Sequence, residues 1–357
     1  MEKLKVGVLF GGLSNEHSIS CISANSIINA LDRNKYEVFP IGITKNAEWL
    51  NFEDTIPFLS LTKTELPEVT SLGIKNHKPK KISTNPAGAL VGMDVVFPVL
   101  HGSFGEDGEV QAIIQNQNIA YVGSGVESSR NCMDKTVTKT LLEEADFKVG
   151  QFININENEW FENEKEILTK ASSLGYPVFV KPARAGSSLG IQKIKSESNL
   201  KDAIEDAREV DEKIIIEKGL ENTREIECGV ISEIDGKNAR ASLPAEIIVK
   251  QGHDFYDFEA KYLDDSVDLI VPAKLSDELI KEIQTQAVKV FKTLNCQGLA
   301  RVDFFITKDE QVIVNEVNTM PGFTSISMFP RMWTISGLDY PALVEHLVKE
   351  ALSNKRN

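Results

Sequence analysis

The chain has 357 residues, of which 41% are hydrophobic and 26% are charged. This composition excludes a disordered, fibrous or small disulfide-dependent protein, and at about 150 residues per domain the length predicts two or three domains. Lys and Arg number 39 against 53 Asp and Glu, so the net charge of -14 argues against general binding to nucleic acid or to an anionic membrane.

The first 130 residues follow an alternating pattern of strands and helices. Residues 4–10 predict a buried strand, residues 19–31 a helix, residues 36–44 a second strand and residues 94–100 another apolar strand. Such alternation predicts a parallel, doubly wound sheet. The stretch 51–86, rich in Pro, Thr, Lys and Ser, predicts a variable surface insertion without assignable chemistry.

A second unit begins near residue 125. It contains a predicted helix over 132–145, an acidic helical stretch after Gly150, and strands over 177–181 and 214–218. A third unit begins near residue 224 and ends in a predicted helix over 340–353.

The cysteines and the first residues of the chain indicate the cellular compartment. Cys21, Cys132, Cys228 and Cys296 are far apart and form no C-x-x-C pair, which argues against a disulfide framework or metal ligation and suits a reducing compartment. Residues 1–5 lead directly into the first strand, and no run of eighteen apolar residues occurs. We therefore expect a cytoplasmic protein with no membrane partner.

Common nucleotide-binding motifs are missing or incomplete. The Walker A pattern is absent, and the nearest dinucleotide fingerprint, at residues 123–128, lacks its third glycine. Both observations argue against a P-loop NTPase and a Rossmann dehydrogenase. Residues 179–190 are more informative, because a strand ends at Lys181 and a flexible turn follows at Gly186–Gly190. The turn could surround a phosphate, with Lys181 as the counter-charge, but these residues alone are equally compatible with a solvent-exposed turn.

Two C-terminal strands, residues 300–306 and 311–317, are joined by a turn near Lys308. If the loop has an even number of residues, Arg301 lies opposite Glu316 and Asp303 opposite Val314, because cross-strand partners share a face. One face then carries four polar side chains: Arg301, Asp303, Glu316 and Asn318. Oxygen ligands beside a phosphate suit Mg²⁺. The alternative is an exposed face with a structural Arg–Glu pair, which the mainly apolar opposite faces make the weaker explanation.

Two further polar segments follow predicted strands. Residues 101–111 carry His101, Glu106 and Asp107 among three glycines, where a parallel sheet binds ligands. Glu16 and His17 follow the first strand, and in isolation both are explained as helix caps.

Eight ordered motifs carry a family resemblance, beginning with LFGGLSNEHSIS, HGSFGEDGEVQ, YVGSGVESSRNCMDKTVTK and FVKPARAGSSLG, and continuing with IIIEKGLENTREIE, FYDFEAKYL, GLARVDFF and VNEVNTMPGFTSISMFP. The chain resembles the D-alanine–D-alanine ligases of the ATP-grasp superfamily. The resemblance implies an α/β fold, in which an ATP-grasp fold is preceded by a Rossmann-like parallel α/β N-terminal domain. It implies domains over 1–124, 125–216 and 217–357, with a lid loop at about 248–265.

The resemblance also implies a set of site residues. ATP is expected to contact Lys135, Lys181, Ser188, Glu217, Lys218, Leu220, Glu225 and Lys261. Two Mg²⁺ or Mn²⁺ ions are expected on Asp303, Glu316 and Asn318. The first D-alanine is expected at Glu16 with Ser187 and Tyr262, the reaction's oxyanion at Arg301 and the Gly322 amide, and the second D-alanine at Ser327 and Met328. His101 is also expected to bind substrate. Family members often carry Glu where Ala185 stands and a polar residue where Ile326 stands.

The implied activity is ligation of two D-alanines through a D-alanyl phosphate, for peptidoglycan precursor synthesis, by a homodimer. Rival predictions are a D-alanine–D-serine or D-alanine–D-lactate ligase, another ATP-grasp carboxylate–amine ligase, and a nucleotide-binding regulatory protein without turnover. Tyr262 argues against the lactate type, which usually has His there. Glu16 and the pair Ser327-Met328 argue against a different carboxylate–amine ligase, and the complete metal-ligand trio argues against a protein without turnover.

Overall fold

Three larger β-sheets and a two-stranded ribbon organise the described part of the chain. The computed structural model describes residues 2–52, 66–74, 78–83, 85–156, 158–186, 188–249 and 267–354. None of the helices within these ranges is both long enough and apolar enough to cross a membrane.

The first sheet has the strand order β6-β3-β2-β1-β7-β8. Its strands are β1 (Leu4–Gly11), β2 (Tyr36–Ile43), β3 (Trp49–Asn51), β6 (Lys81–Ser83), β7 (Val95–Pro98) and β8 (Ala120–Tyr121), and its helices are α1 (His17–Ala30), α2 (Pro86–Leu90) and α3 (Glu109–Gln115). The four adjacent strands β2, β1, β7 and β8 are parallel, which confirms the predicted doubly wound unit, while β3 and β6 add an antiparallel edge on the other side.

The stretch 51–86 is more than a surface insertion, so that prediction is wrong in part. Its described residues include edge strand β6 and a ribbon of β4 (Val69–Thr70) and β5 (Gly73–Ile74). Phe52, Val69 and Ile74 are buried in the same core as β1. These apolar residues are isolated in a polar sequence, so no periodic pattern marks them as core.

The second sheet is antiparallel, with the order β11-β10-β12-β9. Its strands are β9 (Phe152–Ile155), β10 (Val178–Pro182), β11 (Gln192–Ile194) and β12 (Ile214–Lys218), and the helices of this region are α4 (Val126–Met133), α5 (Lys135–Glu144), α6 (Glu159–Ser173) and α7 (Leu200–Arg208). The prediction of one helix over 132–145 is wrong. Asp134 breaks the helix, because its carboxylate accepts hydrogen bonds from the Thr136 and Val137 amides and so caps α5.

The third sheet is antiparallel, with the order β16-β15-β13-β17-β18 and β14 paired to β13. Its strands are β13 (Arg224–Ser232), β14 (Ala239–Ala241), β15 (Ala245–Val249), β16 (Val267–Ile270), β17 (Leu299–Ile306) and β18 (Val312–Asn318), and helix α8 (Asp277–Thr293) packs against it. One face of the sheet is therefore covered by apolar packing, and the polar side chains lie on the other.

The C-terminal helices α9 (Met328–Ile335) and α10 (Tyr340–Ser353) pack on the first sheet, not only on the third. The ring centroids of Phe97 on β7 and Phe323 lie 5.7 Å apart, and those of Phe323 and Tyr340 lie 5.6 Å apart. This packing brings the segment after β18 against the carboxyl ends of β1 and β7. The domain limits 1–124, 125–216 and 217–357 remain predictions, and Glu217 and Lys218 lie on β12 of the second sheet.

Candidate active site

A cleft of about 870 Å³ lies between the second and third sheets. It is lined by nine of the residues that were predicted from the sequence: Lys181, Ser188, Glu217, Lys218, Leu220, Glu225, Arg301, Asp303 and Glu316. A smaller pocket of about 90 Å³ shares Ser188 and Glu316 with the cleft and is also lined by Lys135, Glu106 and Asn318. The structure therefore brings the predicted nucleotide and metal residues that it describes into two adjoining pockets.

The hairpin of β17 and β18 carries the predicted polar face, but not with the predicted register. Ile306 pairs with Val312, so the connecting loop 307–311 has an odd number of residues. That loop alone would turn Glu316 to the opposite face. A bulge between the Asp303 and Phe304 pairs inserts one extra residue, Asn315, and restores the alternation.

The corrected register is Arg301 opposite Asn318 and Asp303 opposite Glu316. All four side chains share one face, as predicted, although the expected Arg301–Glu316 and Asp303–Val314 pairs are wrong. β13 adds Glu227 directly across from Asp303 on the same face.

Arg301 is held by carboxylates on this face. Its Nε and Nη2 each donate to an Asp303 oxygen at 2.7 Å, and Nε lies 3.2 Å from Glu227 Oε1. The Asn318 amide nitrogen donates to Asp303 Oδ2 at 3.0 Å. Burial raises the pKa of Asp303 to about 7 against the opposing effect of Arg301. Burial would lower the pKa of Arg301, but Asp303 and Glu227 raise it well above its usual value.

The charge balance of the face fits a divalent cation. Asp303, Glu227 and Glu316 all act electrostatically on Arg301, so three carboxylates face one guanidinium. Lys181 also acts on Glu316. Closely spaced acids that outnumber their basic partners favour an added cation, and carboxylate and amide oxygens are ligands that Mg²⁺ and Mn²⁺ accept. Among the described residues, no group of three or more His, Cys, Asp or Glu side chains is arranged to hold a metal by itself. The predicted trio contains an amide, and nucleotide phosphates would have to complete any coordination.

Two lysines converge on Glu217 beside this face. Lys181 Nζ lies 2.5 Å from Glu217 Oε2, and Lys139 Nζ lies 2.7 Å from Oε1. All three groups are largely buried. Burial alone would raise the pKa of Glu217, but Lys139 and Lys181 depress it well below its usual value. Glu217 is thus the shared counter-charge of Lys139 and Lys181.

Lys135, at the start of α5, faces the smaller pocket, where its Nζ donates to the Ala185 carbonyl at 2.6 Å. Lys139 was missed by the sequence analysis. It stands four residues after Lys135 on the same helix, so helical spacing could have identified it as a neighbour. Glu227 was also missed, although it stands two residues after Glu225 on one strand and therefore shares its face.

We expect Glu217→Gln to lower the free energy of unfolding by about 3–5 kcal/mol at pH 7, because two buried ammonium groups lose their shared counter-charge. The folded-state pKa of Glu217 is depressed, so its stabilisation is fully present above the unfolded pKa of about 4.3 and is lost progressively as the pH falls from there through the lower folded pKa. Urea unfolding at pH 7 and pH 3 should therefore show a smaller difference between parent and variant at pH 3.

The matched control is Glu166→Gln, which breaks an exposed pair with Lys170 of the same 2.7 Å length on α6. Surface pairs contribute little, so this variant should unfold like the parent. An unfolding free energy that Glu217→Gln leaves unchanged at both pH values would contradict the assignment of Glu217 as the shared counter-charge.

Glu16 lies at the entrance to α1, but its side chain does not cap the helix. A Cβ on Gly102 would lie 3.5 Å from Glu16 Oε2, and one on Gly186 would lie 3.8 Å from it. Glu16 is thus surrounded by the glycine-rich loops after β7 and β10. The explanation of Glu16 as a simple cap is wrong, and a carboxylate at this place can receive an ammonium group.

His17 has a structural environment instead. Its Nδ1 lies 2.6 Å from the Gly12 carbonyl oxygen, and its Nε2 accepts the Val69 amide proton at 2.8 Å. Burial lowers the pKa of His17, consistent with a neutral imidazole that fastens the ribbon to α1.

His101 is buried, and both ring nitrogens contact protein groups. Nδ1 lies 3.0 Å from the Met320 carbonyl oxygen, and Nε2 lies 3.3 Å from Ser23 Oγ. Burial lowers the pKa of His101. In this structure His101 supports the segment after β18, and its contact with a substrate remains a prediction.

The predicted second-substrate residues stand at the start of α9. Ser327 precedes the helix, its Oγ accepts the Thr324 amide proton at 3.1 Å, and Met328 is the first helical residue. The amides at a helix N-terminus attract a carboxylate. Gly322 lies in the irregular segment between β18 and this helix. Ser187, Lys261, Tyr262 and nearly all of the predicted lid 248–265 lie outside the described residues.

Two family models match the chain. The model described as D-ala D-ala ligase N-terminus covers residues 5–124, and the model described as D-ala D-ala ligase C-terminus covers residues 141–349. A D-alanine--D-alanine ligase of Kineococcus radiotolerans is 45% identical over 98% of this chain and 97% of that protein. One of Streptomyces coelicolor is 44% identical over 98% of this chain and 93% of that protein.

Solved structures of ligases are also similar to this chain. The D-alanine-D-alanine ligase from Coxiella burnetii has a TM-score of 0.80 and 32% identity, covering 99% of this chain and 94% of that one. The VanG D-Ala:D-Ser ligase from Enterococcus faecalis also has a TM-score of 0.80 and 32% identity, covering 98% of this chain and 100% of that one.

Proposed function

This chain belongs to the D-alanine–D-alanine ligase family, and we propose that it joins two D-alanine molecules to D-alanyl-D-alanine, with conversion of ATP to ADP and phosphate, for peptidoglycan precursor synthesis. The observation that carries the proposal is the shared face of Arg301, Asp303, Glu316 and Asn318 beside the paired lysines of the cleft. That arrangement suits transfer of a phosphoryl group to a carboxylate.

In the first step, a carboxylate oxygen of the first D-alanine attacks the γ-phosphorus of ATP. The bond from γ-phosphorus to the bridging oxygen breaks, ADP leaves and D-alanyl phosphate forms. Glu16 would hold the ammonium of this D-alanine, and Lys135 and Lys181 would reduce repulsion between the two anions. Asp303, Glu316 and Asn318 would hold divalent cations, which offset phosphate charge.

In the second step, the amine of the second D-alanine attacks the acyl carbon, and phosphate leaves with its electron pair. Arg301 and the Gly322 amide would stabilise the tetrahedral oxyanion, and the α9 N-terminus would hold the second carboxylate. D-Alanyl phosphate hydrolyses in water, so the site must close. We assign this closure to the segment 248–265, with Lys261 near the transferring phosphate and Tyr262 and Ser187 beside Glu16. Its aromatic and glycine content suits a lid.

The choice of second substrate favours D-alanine. Curated relatives at 42–45% identity are named D-alanine--D-alanine ligase, whereas the two solved structures, one of each specificity, are equally similar to this chain at 32% identity and do not discriminate. Tyr262 stands where lactate-type ligases usually have His. We also propose that the enzyme is a cytoplasmic homodimer, which light scattering of the purified chain would test for assembly state.

Phosphate release from ATP, measured with D-alanine, D-serine and D-lactate, tests the function. We expect D-alanine alone to support rapid release with one dipeptide per phosphate. ¹⁸O placed in the D-alanine carboxylate should appear in the released phosphate, because that oxygen bridges carbon and phosphorus in the intermediate. Preferential use of D-serine or D-lactate with D-alanine would contradict the specificity, and label retained wholly in the dipeptide would exclude the acyl phosphate.

A further inference from the structure

Glu106 joins two parts of the chain that are 214 residues apart. Its Oε2 accepts the Gly102 amide proton at 2.8 Å, and its Oε1 accepts the Met320 amide proton at 3.0 Å. The Met320 carbonyl oxygen lies 3.0 Å from His101 Nδ1. Both polar backbone atoms of Met320 are therefore bonded to the loop that follows β7.

The Gly102 and Met320 amides lie near groups that act in different steps of the proposed reaction. Gly102 lies beside Glu16, because a Cβ on Gly102 would be 3.5 Å from Glu16 Oε2. Met320 lies two residues after Asn318 and two before Gly322, in the segment where the β18 ladder has already ended. Successive Cα atoms are about 3.8 Å apart, so fixing Met320 restricts Gly322 to within about 8 Å of the anchor.

We propose that Glu106 is a positioning residue that holds the Gly322 segment in register with the first-substrate corner, so that the amine attacks the acyl carbon faster than water does. The inference rests on the proposed ligase function. Glu106 touches neither substrate in this account and acts through the Met320 amide.

The chemistry of the group supports a bridge. A carboxylate has two acceptor oxygens and can receive two backbone N–H groups, whereas a carboxamide has one acceptor and presents an NH₂ to the other amide. Burial and the nearby Glu16 raise the pKa of Glu106 to about 7, and the bonds from Gly102 and Met320 together with Arg301 oppose that rise. The geometry, with one carboxylate oxygen on each amide, is therefore arranged for a group that accepts two amide protons.

Loss of the Glu106 contacts should slow the second step of the reaction. The acyl phosphate forms among Glu16, the lysines and the metal ligands, while the Gly322 amide is needed when the tetrahedral oxyanion develops. A displacement of about 1 Å at a reacting group can lower a rate about 100-fold. A mispositioned Gly322 segment would therefore leave an activated D-alanine that water hydrolyses, releasing phosphate without dipeptide.

The test compares phosphate release with dipeptide formation in Glu106→Gln. We expect the dipeptide rate to fall about 10- to 100-fold, the phosphate rate to fall less, and the ratio of phosphate to dipeptide to rise clearly above one, with the KM for ATP unchanged. Glu106→Asp keeps the charge but is one methylene shorter, so it carries the same test if Glu106→Gln fails to fold.

The matched control is Glu109→Gln, three residues further along the chain. Glu109 is exposed at the start of α3, so the same charge is removed without touching the bonds between Glu106 and the two amides. The control should keep a ratio of one. A Glu106 variant that folds and keeps a ratio of one, whatever its turnover rate, would overturn the inference but not the proposed function. Wild-type protein without D-alanine-dependent phosphate release would overturn the proposed function and the inference with it.

Discussion

Glu316→Gln is expected to lower dipeptide synthesis by about 100-fold or more, equivalent to about 3 kcal/mol in the barrier. Glu316 lies opposite Asp303 on the polar face and lines both the cleft and the smaller pocket. The substitution keeps the size of the side chain and removes one negative charge, so it weakens cation binding without disturbing the hairpin. Steady-state turnover over a range of Mg²⁺ concentrations measures the effect.

Asp309→Asn provides the control for that substitution. Asp309 stands in the exposed turn of the same hairpin, so one negative charge is likewise removed, but away from the polar face. It should leave turnover and Mg²⁺ dependence unchanged. Near-normal turnover of Glu316→Gln at saturating Mg²⁺ would refute Glu316 as a metal ligand.

The hairpin also shows which structural features local sequence patterns can predict. Period-two alternation identified the four polar residues of one face, but the predicted pairs require an even loop, and the loop is odd. The bulge at Asn315 compensates for this difference, and no local propensity at that position predicts a bulge. The membership of the face was therefore predictable, while the partners across it were not.

Some features follow from local sequence, whereas others depend on contacts between distant segments. The cap at Asp134, with its Thr136 and Val137 amides, is local and could have been recognised from the capping chemistry. The buried Val69 and the bond from Glu106 to Met320 depend on the packing of segments far apart in sequence. The motif residues of the site could be found by resemblance, but the contacts that hold them in position required the structure.

Substitution of Arg301 by Lys separates the effect of hydrogen-bond geometry from the effect of charge. Its guanidinium presents two nitrogens to Asp303 at 2.7 Å and lies 3.2 Å from Glu227, so the planar fork is fixed before substrates arrive. Such pre-organised donors are worth most in a water-excluded site where negative charge develops during the reaction. An ammonium group has the same charge but cannot make the parallel pair of bonds.

Arg301→Lys is therefore expected to lower kcat for dipeptide synthesis by about 100- to 1000-fold, although the net charge of the site is unchanged. Arg184→Lys is the matched control, because Arg184 makes a similar paired contact with Asp211 but is exposed and does not line the cleft. The control should retain parental kcat. Measuring kcat and the KM for ATP in both variants separates the loss of transition-state stabilisation from weaker nucleotide binding. If Arg301→Lys keeps kcat within about threefold of the parent, the fork geometry is not required, and the assignment of Arg301 to the oxyanion is wrong even in an active ligase.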